Sequence, residues 1–138
     1  MTAYLDSSVL LRQVFAEPGQ LAEWGSIQRG VASVLVQVEC LRTIDRLRIR
    51  HSLAPPEVAA RRETVFRLLE ALDVVDLTSP VLARSAQPFP TPLGTLDAIH
   101  LATALLWQER GERDLVMATH DAALALAARS CGLLVVGA

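Results

Sequence analysis

Apolar positions along this chain fall into two rhythms. Short runs of three to five apolar residues alternate with longer stretches in which apolar side chains recur every three or four positions, the signatures of buried strands and packed helices. The segment Ala3–Asp6 reads as a short strand. A helix follows from Ser8 to Phe15, broken at Glu17-Pro18-Gly19, and a second short helix is expected over Gln20–Gln28, ending near Gly30. The stretch SVLVQVECLRTIDRLRIR begins with β-branched residues and turns helical, and Pro55-Pro56 suits the first turn of a helix running to Leu72. VVDL is a strand candidate, Ser79-Pro80 restarts a helix, and QPFPTPLG is a loop. A helix over Thr95–Arg110, a strand at Leu115–Ala118, a helix from Asp121 and a strand at Leu133–Val136 close the chain.

Strands separated by helices in this order predict an α/β fold with a central, mostly parallel β-sheet flanked by α-helices. The helix from Thr95 carries the clearest stripe: Ala98, Leu101, Ala102, Leu105 and Leu106 share one face. Thr95 reads as its N-cap, with Asp97 in the first turn where the helix dipole favours negative charge. Taken alone, Asp97 merely complements that dipole.

Length and composition keep this a single domain over residues 1–138: 138 residues, 51% hydrophobic and 20% charged, suffice for one core and argue against long disorder. No segment is apolar for long enough to span a bilayer and no signal-like N-terminus is visible, so a cytoplasmic protein without membrane contact is expected. Cys40 and Cys131 lack CxxC spacing and read as two buried or half-buried thiols. The net charge of −2 is unlike that of a nonspecific nucleic-acid binder. All 13 basic residues are arginine. The absence of lysine disfavours a P-loop phosphate site and Schiff-base chemistry.

Four acids occupy comparable places. Asp6 follows the first strand, Glu39 the apolar run Val34–Val38, Asp97 opens a helix, and Asp121 follows the strand LVMA two residues after Thr119. In an open parallel sheet the carboxyl ends of strands and the nearby helix starts line one crevice. Asp6 and Asp121 fit that rule directly, while Glu39 and Asp97 reach the crevice if their helices pack beside it. Two unit charges about 4 Å apart interact by about 4 kcal/mol at an effective dielectric of 20, so such a cluster persists by raising pKa values or by holding a cation. Oxygen-only donors favour Mg²⁺ or Mn²⁺, and a water bound to such an ion is a ready nucleophile for a phosphodiester.

The segments YLDSSVLL, VQVECLR, LGTLDAIHLATAL and VMATHDAALALAARSCGLLVV together resemble PIN-domain proteins, in particular VapC-type toxins of bacterial toxin–antitoxin pairs, over essentially the whole chain and in the same order. The most specific part is LDAIHLATA followed by a strand, T-x-D and a helix. The resemblance implies a PIN-like α/β/α sandwich and a metal-dependent endoribonuclease leaving 5′ phosphate and 3′ hydroxyl ends. It implies that Asp6, Glu39, Asp97 and Asp121 hold Mg²⁺ or Mn²⁺, with Ser8 and Thr119 as accessory hydroxyls. It also implies a homodimer and a small VapB-type antitoxin as partner.

Arg42, Arg46 and Arg50 follow Glu39 at i+3, i+7 and i+11, an arginine face suited to RNA phosphates or simply to solvent. His100 falls opposite the apolar stripe of its helix, where the resemblance suggests a supporting role rather than proton transfer; His120 is assigned none. With aromatics at 4%, a base-stacking platform is not expected. Two other readings use the same residues: a catalytically silent RNA- or antitoxin-binding module, and a metal-dependent phosphatase or DNA nuclease.

Overall fold

In the computed structural model, which covers residues 1–138, strand β1 (Thr2–Leu5) lies at the centre of a five-stranded, wholly parallel sheet. On one side it pairs with β2 (Arg29–Ser33), which pairs with β3 (Asp73–Val75). On the other it pairs with β4 (Val116–Ala118), which pairs with β5 (Leu134–Val136). The order is therefore β3-β2-β1-β4-β5. The chain builds outward from β1 in one direction, then returns to build in the other. At such a reversal the connections leave β1 and β4 toward opposite sides, and a crevice opens at their carboxyl ends.

Alternation along the strands feeds two cores. Ala3, Leu5, Ala32 and Ala118 face helices α1 (Ser7–Val14), α2 (Leu35–His51) and α3 (Pro55–Glu70), where Val9, Leu10, Val36, Ile44 and Val65 are buried. Tyr4, Val31 and Met117 face the other way, toward α5 (Thr95–Glu109) and α6 (Ala122–Ser130), with Leu101, Leu105 and Leu124. Neighbouring strand residues point to opposite faces, so a sheet covered on both sides must be apolar at nearly every position. The short helix α4 (Ser79–Ser85), capped by Thr78, packs on α5. No helix is long and apolar enough to cross a membrane. Both cysteines are free; Cys40 is buried and Cys131 half-buried.

Three sequence expectations need correction. Gln20–Gln28 forms only a single 3-10 turn at Trp24–Ser26; Leu21 is the one buried residue in that stretch, so no apolar face could hold a helix down. Strand β2 precedes the β-branched run, which instead forms the first turns of α2. Glu39 stands on that helix, as expected. A Cβ at Gly30 in β2 would come within 2.4 Å of a Leu72 methyl, so the close approach of α3's trailing end, not strand propensity, selects glycine there. Finally, the N-cap of α5 is Gly94, with Thr95 already inside the helix.

Candidate active site

The pairing of β1 with β4 sets Leu5 beside Ala118, so the next residues, Asp6 and Thr119, come out opposite each other at the sheet's edge. Thr119 donates its hydroxyl to Asp6 Oδ2 at 2.6 Å. Ser8 donates to Asp6 Oδ1 at 2.6 Å, and the Val9 N–H reaches the same oxygen at 3.2 Å. Asp6 is therefore both the N-cap of α1 and a carboxylate held by three donors. The two hydroxyls accept in turn: Thr119 Oγ1 from the Asp121 N–H at 3.0 Å, Ser8 Oγ from the His120 N–H at 2.9 Å. They tie the β1–α1 turn to the β4–α6 turn. His120 itself turns away, its Nδ1 meeting the Gly137 carbonyl at 2.8 Å.

Glu39 enters the same crevice from the second turn of α2. Its Oε1 lies 2.6 Å from His100 Nε2 and its Oε2 accepts the Ser7 hydroxyl at 3.1 Å. The other ring nitrogen of His100 lies 2.8 Å from the Tyr4 hydroxyl. His100 is thus buried, not opposite the packed face as the stripe predicted, because α5 is covered by α4, α6 and the sheet together.

Asp97 and Asp121 complete the group. Asp121 caps α6, its Oδ1 accepting the Leu124 N–H at 2.8 Å and its other oxygen uncommitted. Asp97 lies in the first turn of α5, half-buried.

Asp97 feels the charge of the other three acids. Asp97's carboxyl is pushed up, first by burial, then by the charge of Asp121, with Asp6 and Glu39 adding to it and His100 opposing. Burial also raises Asp6, against the pull of Ser8, Thr119, His100 and the Val9 N–H. A carboxylate crowded by three others, with no hydrogen-bond donor of its own, is the group a hard cation would relieve. As the side chains stand, no three acidic, histidine or cysteine groups close into a cage. Mg²⁺ does not require one, since it is commonly held through one or two carboxylates with the rest of its shell water. The donor chemistry fits such an ion.

From Glu39 a groove of about 420 Å³ continues along α2, lined by Ser7, Ser8, Thr43, Arg42 and Arg46 together with four apolar side chains. Arg46 donates to the Thr43 hydroxyl at 3.0 Å, and Arg42 stands 3.6 Å from Asp45 while largely exposed. Arg50 is exposed one turn further on and does not line the groove. The expected arginine face is therefore continuous with the acids at two of its three positions.

Sequence reasoning missed the Tyr4–His100–Glu39 chain. One signal was available: Tyr4 is the only tyrosine, in a strand expected to be buried, and a buried phenol requires a partner.

A wholly parallel α/β sandwich with an acidic crevice at the strand-order reversal belongs to the α/β folds that bind ligands at the carboxyl ends of their strands. Comparison with known proteins narrows this. The PIN domain family model matches residues 3–129, and the chain belongs to the PIN-domain family. Ribonuclease VapC47 of Mycobacterium tuberculosis (strain CDC 1551 / Oshkosh) is 33% identical over 108 residues, 73% of this chain and 73% of that one. FitAcB from Neisseria gonorrhoeae superposes with a TM-score of 0.71 at 18% identity, over 96% of this chain and 95% of the other. VapBC2 from Rickettsia felis, bound to a DNA fragment from its promoter, gives 0.66 at 10% identity over 98% and 97%. A toxin–antitoxin complex from Klebsiella pneumoniae gives 0.65 at 16% identity over 93% of each. At these identities the structures show a common fold.

Proposed function

We propose that this chain is a metal-dependent endoribonuclease acting as the toxin of a toxin–antitoxin pair. The observation that supports the reading is geometric: Thr119 bonds both Asp6 and the Asp121 N–H, and Ser7, the residue after Asp6, bonds Glu39, so acids far apart in sequence share one crevice. The 33% identity to a ribonuclease supports RNA as the substrate. The toxin–antitoxin complexes among the structural neighbours support a small VapB-type antitoxin as partner. A homodimer working in the cytoplasm belongs to the same reading.

In this reading Asp6, Glu39, Asp97 and Asp121 hold Mg²⁺ or Mn²⁺. Bound there, the ion would supply Lewis acidity and a water of lowered pKa for attack on the phosphodiester. The chain's own residues do the rest. Ser8 and Thr119 fix the orientation of Asp6 and keep both its oxygens at the crevice floor. Ser7 and His100 hold Glu39. Asp97 and the free oxygen of Asp121 remain available to take the cation, and Arg42 and Arg46 guide the RNA backbone along the groove.

The test is cleavage of single-stranded RNA by the protein freed of any antitoxin, in Mg²⁺ or Mn²⁺, beside single-stranded DNA and a phosphomonoester. Cleavage of RNA alone, abolished in Asp97→Asn, is expected. RNA binding without cleavage in either metal would leave a binding module, and turnover of the DNA or the phosphomonoester would redirect the assignment.

A further inference from the structure

We propose that His100 is the positioning residue of this site: held by Tyr4 at one ring nitrogen, it holds the Glu39 carboxylate at the crevice with the other. The proposal rests on the reading above only in supposing that Glu39 works there.

The three groups form an unbroken line from the core to the crevice. Tyr4, from β1, is fully buried and His100, from α5, is 1% exposed, while Glu39, from α2, is partly open to solvent. The separations are 2.8 Å from the Tyr4 hydroxyl to Nδ1 and 2.6 Å from Nε2 to Glu39 Oε1. The rings of Tyr4 and His100 meet edge-on, with centroids 5.9 Å apart and planes at 70°.

The two ring nitrogens have separate duties: Nε2 faces the Glu39 carboxylate and Nδ1 the Tyr4 hydroxyl, so the ring cannot turn over without leaving the phenol and the carboxylate facing the wrong atoms. Ser7 occupies the second oxygen of Glu39 at 3.1 Å. The carboxylate is thereby fixed about its last torsion by two donors from two different helices.

The cost of such an arrangement argues for its use. Packing a histidine between a phenol and a carboxylate brings three polar groups into a layer that Leu101 and Ala104 would otherwise keep apolar. A carboxylate that must present itself at one angle gains from a rigid donor, as metal-holding carboxylates gain from the hydrogen bonds behind them.

The experiment has two arms. Long-range ¹H–¹⁵N spectra of the metal-free protein at pH 7.5 report the two hydrogen bonds of the His100 ring, read without metal or RNA. The Nε2 resonance is expected to move in Glu39→Gln and the Nδ1 resonance in Tyr4→Phe. An Nε2 resonance unmoved by Glu39→Gln, or an Nδ1 resonance unmoved by Tyr4→Phe, overturns the proposal.

The second arm measures Mn²⁺ affinity by calorimetry. His100→Leu is expected to lose about 10- to 100-fold. His100→Gln, whose amide N–H can reach toward Glu39, should recover most of it at equal thermal stability. Affinity unchanged in His100→Leu, or lost equally in the glutamine variant, overturns it. Should His100→Leu not fold, Tyr4→Phe decides, with reduced affinity supporting and unchanged affinity overturning. If the parent protein takes up no Mn²⁺ at all, the nuclease reading falls, and the spectra still judge the proposal.

Discussion

Thr119 and Asp6, 113 positions apart in sequence, meet at 2.6 Å, hydroxyl to carboxylate, where β4 and β1 end side by side. Thr119 is wholly buried and also accepts the Asp121 N–H, so one side chain serves two of the four acids. Thr119→Val keeps the shape and removes both hydrogen bonds. Leaving a buried carboxylate oxygen without its donor costs about 1–3 kcal/mol, so urea unfolding should show a lower midpoint at unchanged slope. Thr119→Ser, which keeps the hydroxyl, should recover most of the loss.

Asp6 has a structural duty and a proposed chemical one, and two substitutions separate them. Asparagine caps helices about as well as aspartate, whereas losing the cap altogether costs about 1 kcal/mol. Asp6→Asn should therefore keep near-parental stability while losing dication binding and RNA cleavage. Asp6→Ala should lose the same activity and melt lower as well. Cleavage retained in Asp6→Asn would remove Asp6 from the chemistry.

The raised carboxyls make the metal-free protein sensitive to pH in a defined sense. The ordinary value for Asp97 is 3.8, and its folded value lies above that. Between the two, the folded protein binds a proton that the unfolded chain has released, so stability falls as pH rises through this window and then levels off. Asp6 acts in the same direction. In EDTA, thermal melting of Asp97→Asn should show a flatter pH profile and a higher midpoint than the parent at pH 7.5. Saturating Mn²⁺ should reverse the order, adding about 2.7 kcal/mol to the parent at 100 times its Kd and little to the variant.

Much of this site was legible in the sequence because parallel strands end where their apolar run ends. Asp6 after Ala3–Leu5 and Asp121 after Val116–Ala118 were located by that rule, Thr119 by the family resemblance, and the β1–β4 pairing brings Asp6 and Thr119 together. Glu39 was expected on a helix packed beside the crevice and stands there, but the strand before it was misplaced, because Arg-Gly-Val-Ala-Ser has little β-propensity. Its glycine answers to Leu72, 42 positions on, and such a contact leaves no local trace. His100 was misread for a related reason. A helical stripe marks one packed face, but α5 is packed on several, and a polar residue on the second face looks exposed until its neighbours are known.

The groove beside α2 provides the sharpest test of how substrate would be held. Arg42 and Arg46 line it, and Arg50 stands on the same helix face one turn beyond. Each arginine in contact with a single-stranded phosphate backbone adds about 0.7 to the slope of log affinity against log salt. Arg46→Ala should therefore weaken binding of a catalytically blocked Asp97→Asn background to unrelated RNA sequences alike, and lower the slope by about that amount. Arg50→Ala in the same background should change the slope less, although it removes the same charge from the same helix. Fluorescence anisotropy across a salt series measures both. Equal effects from the two would mean that the arginines act through the general field of the surface, while a selective effect of Arg46 ties RNA to the path that begins at Glu39.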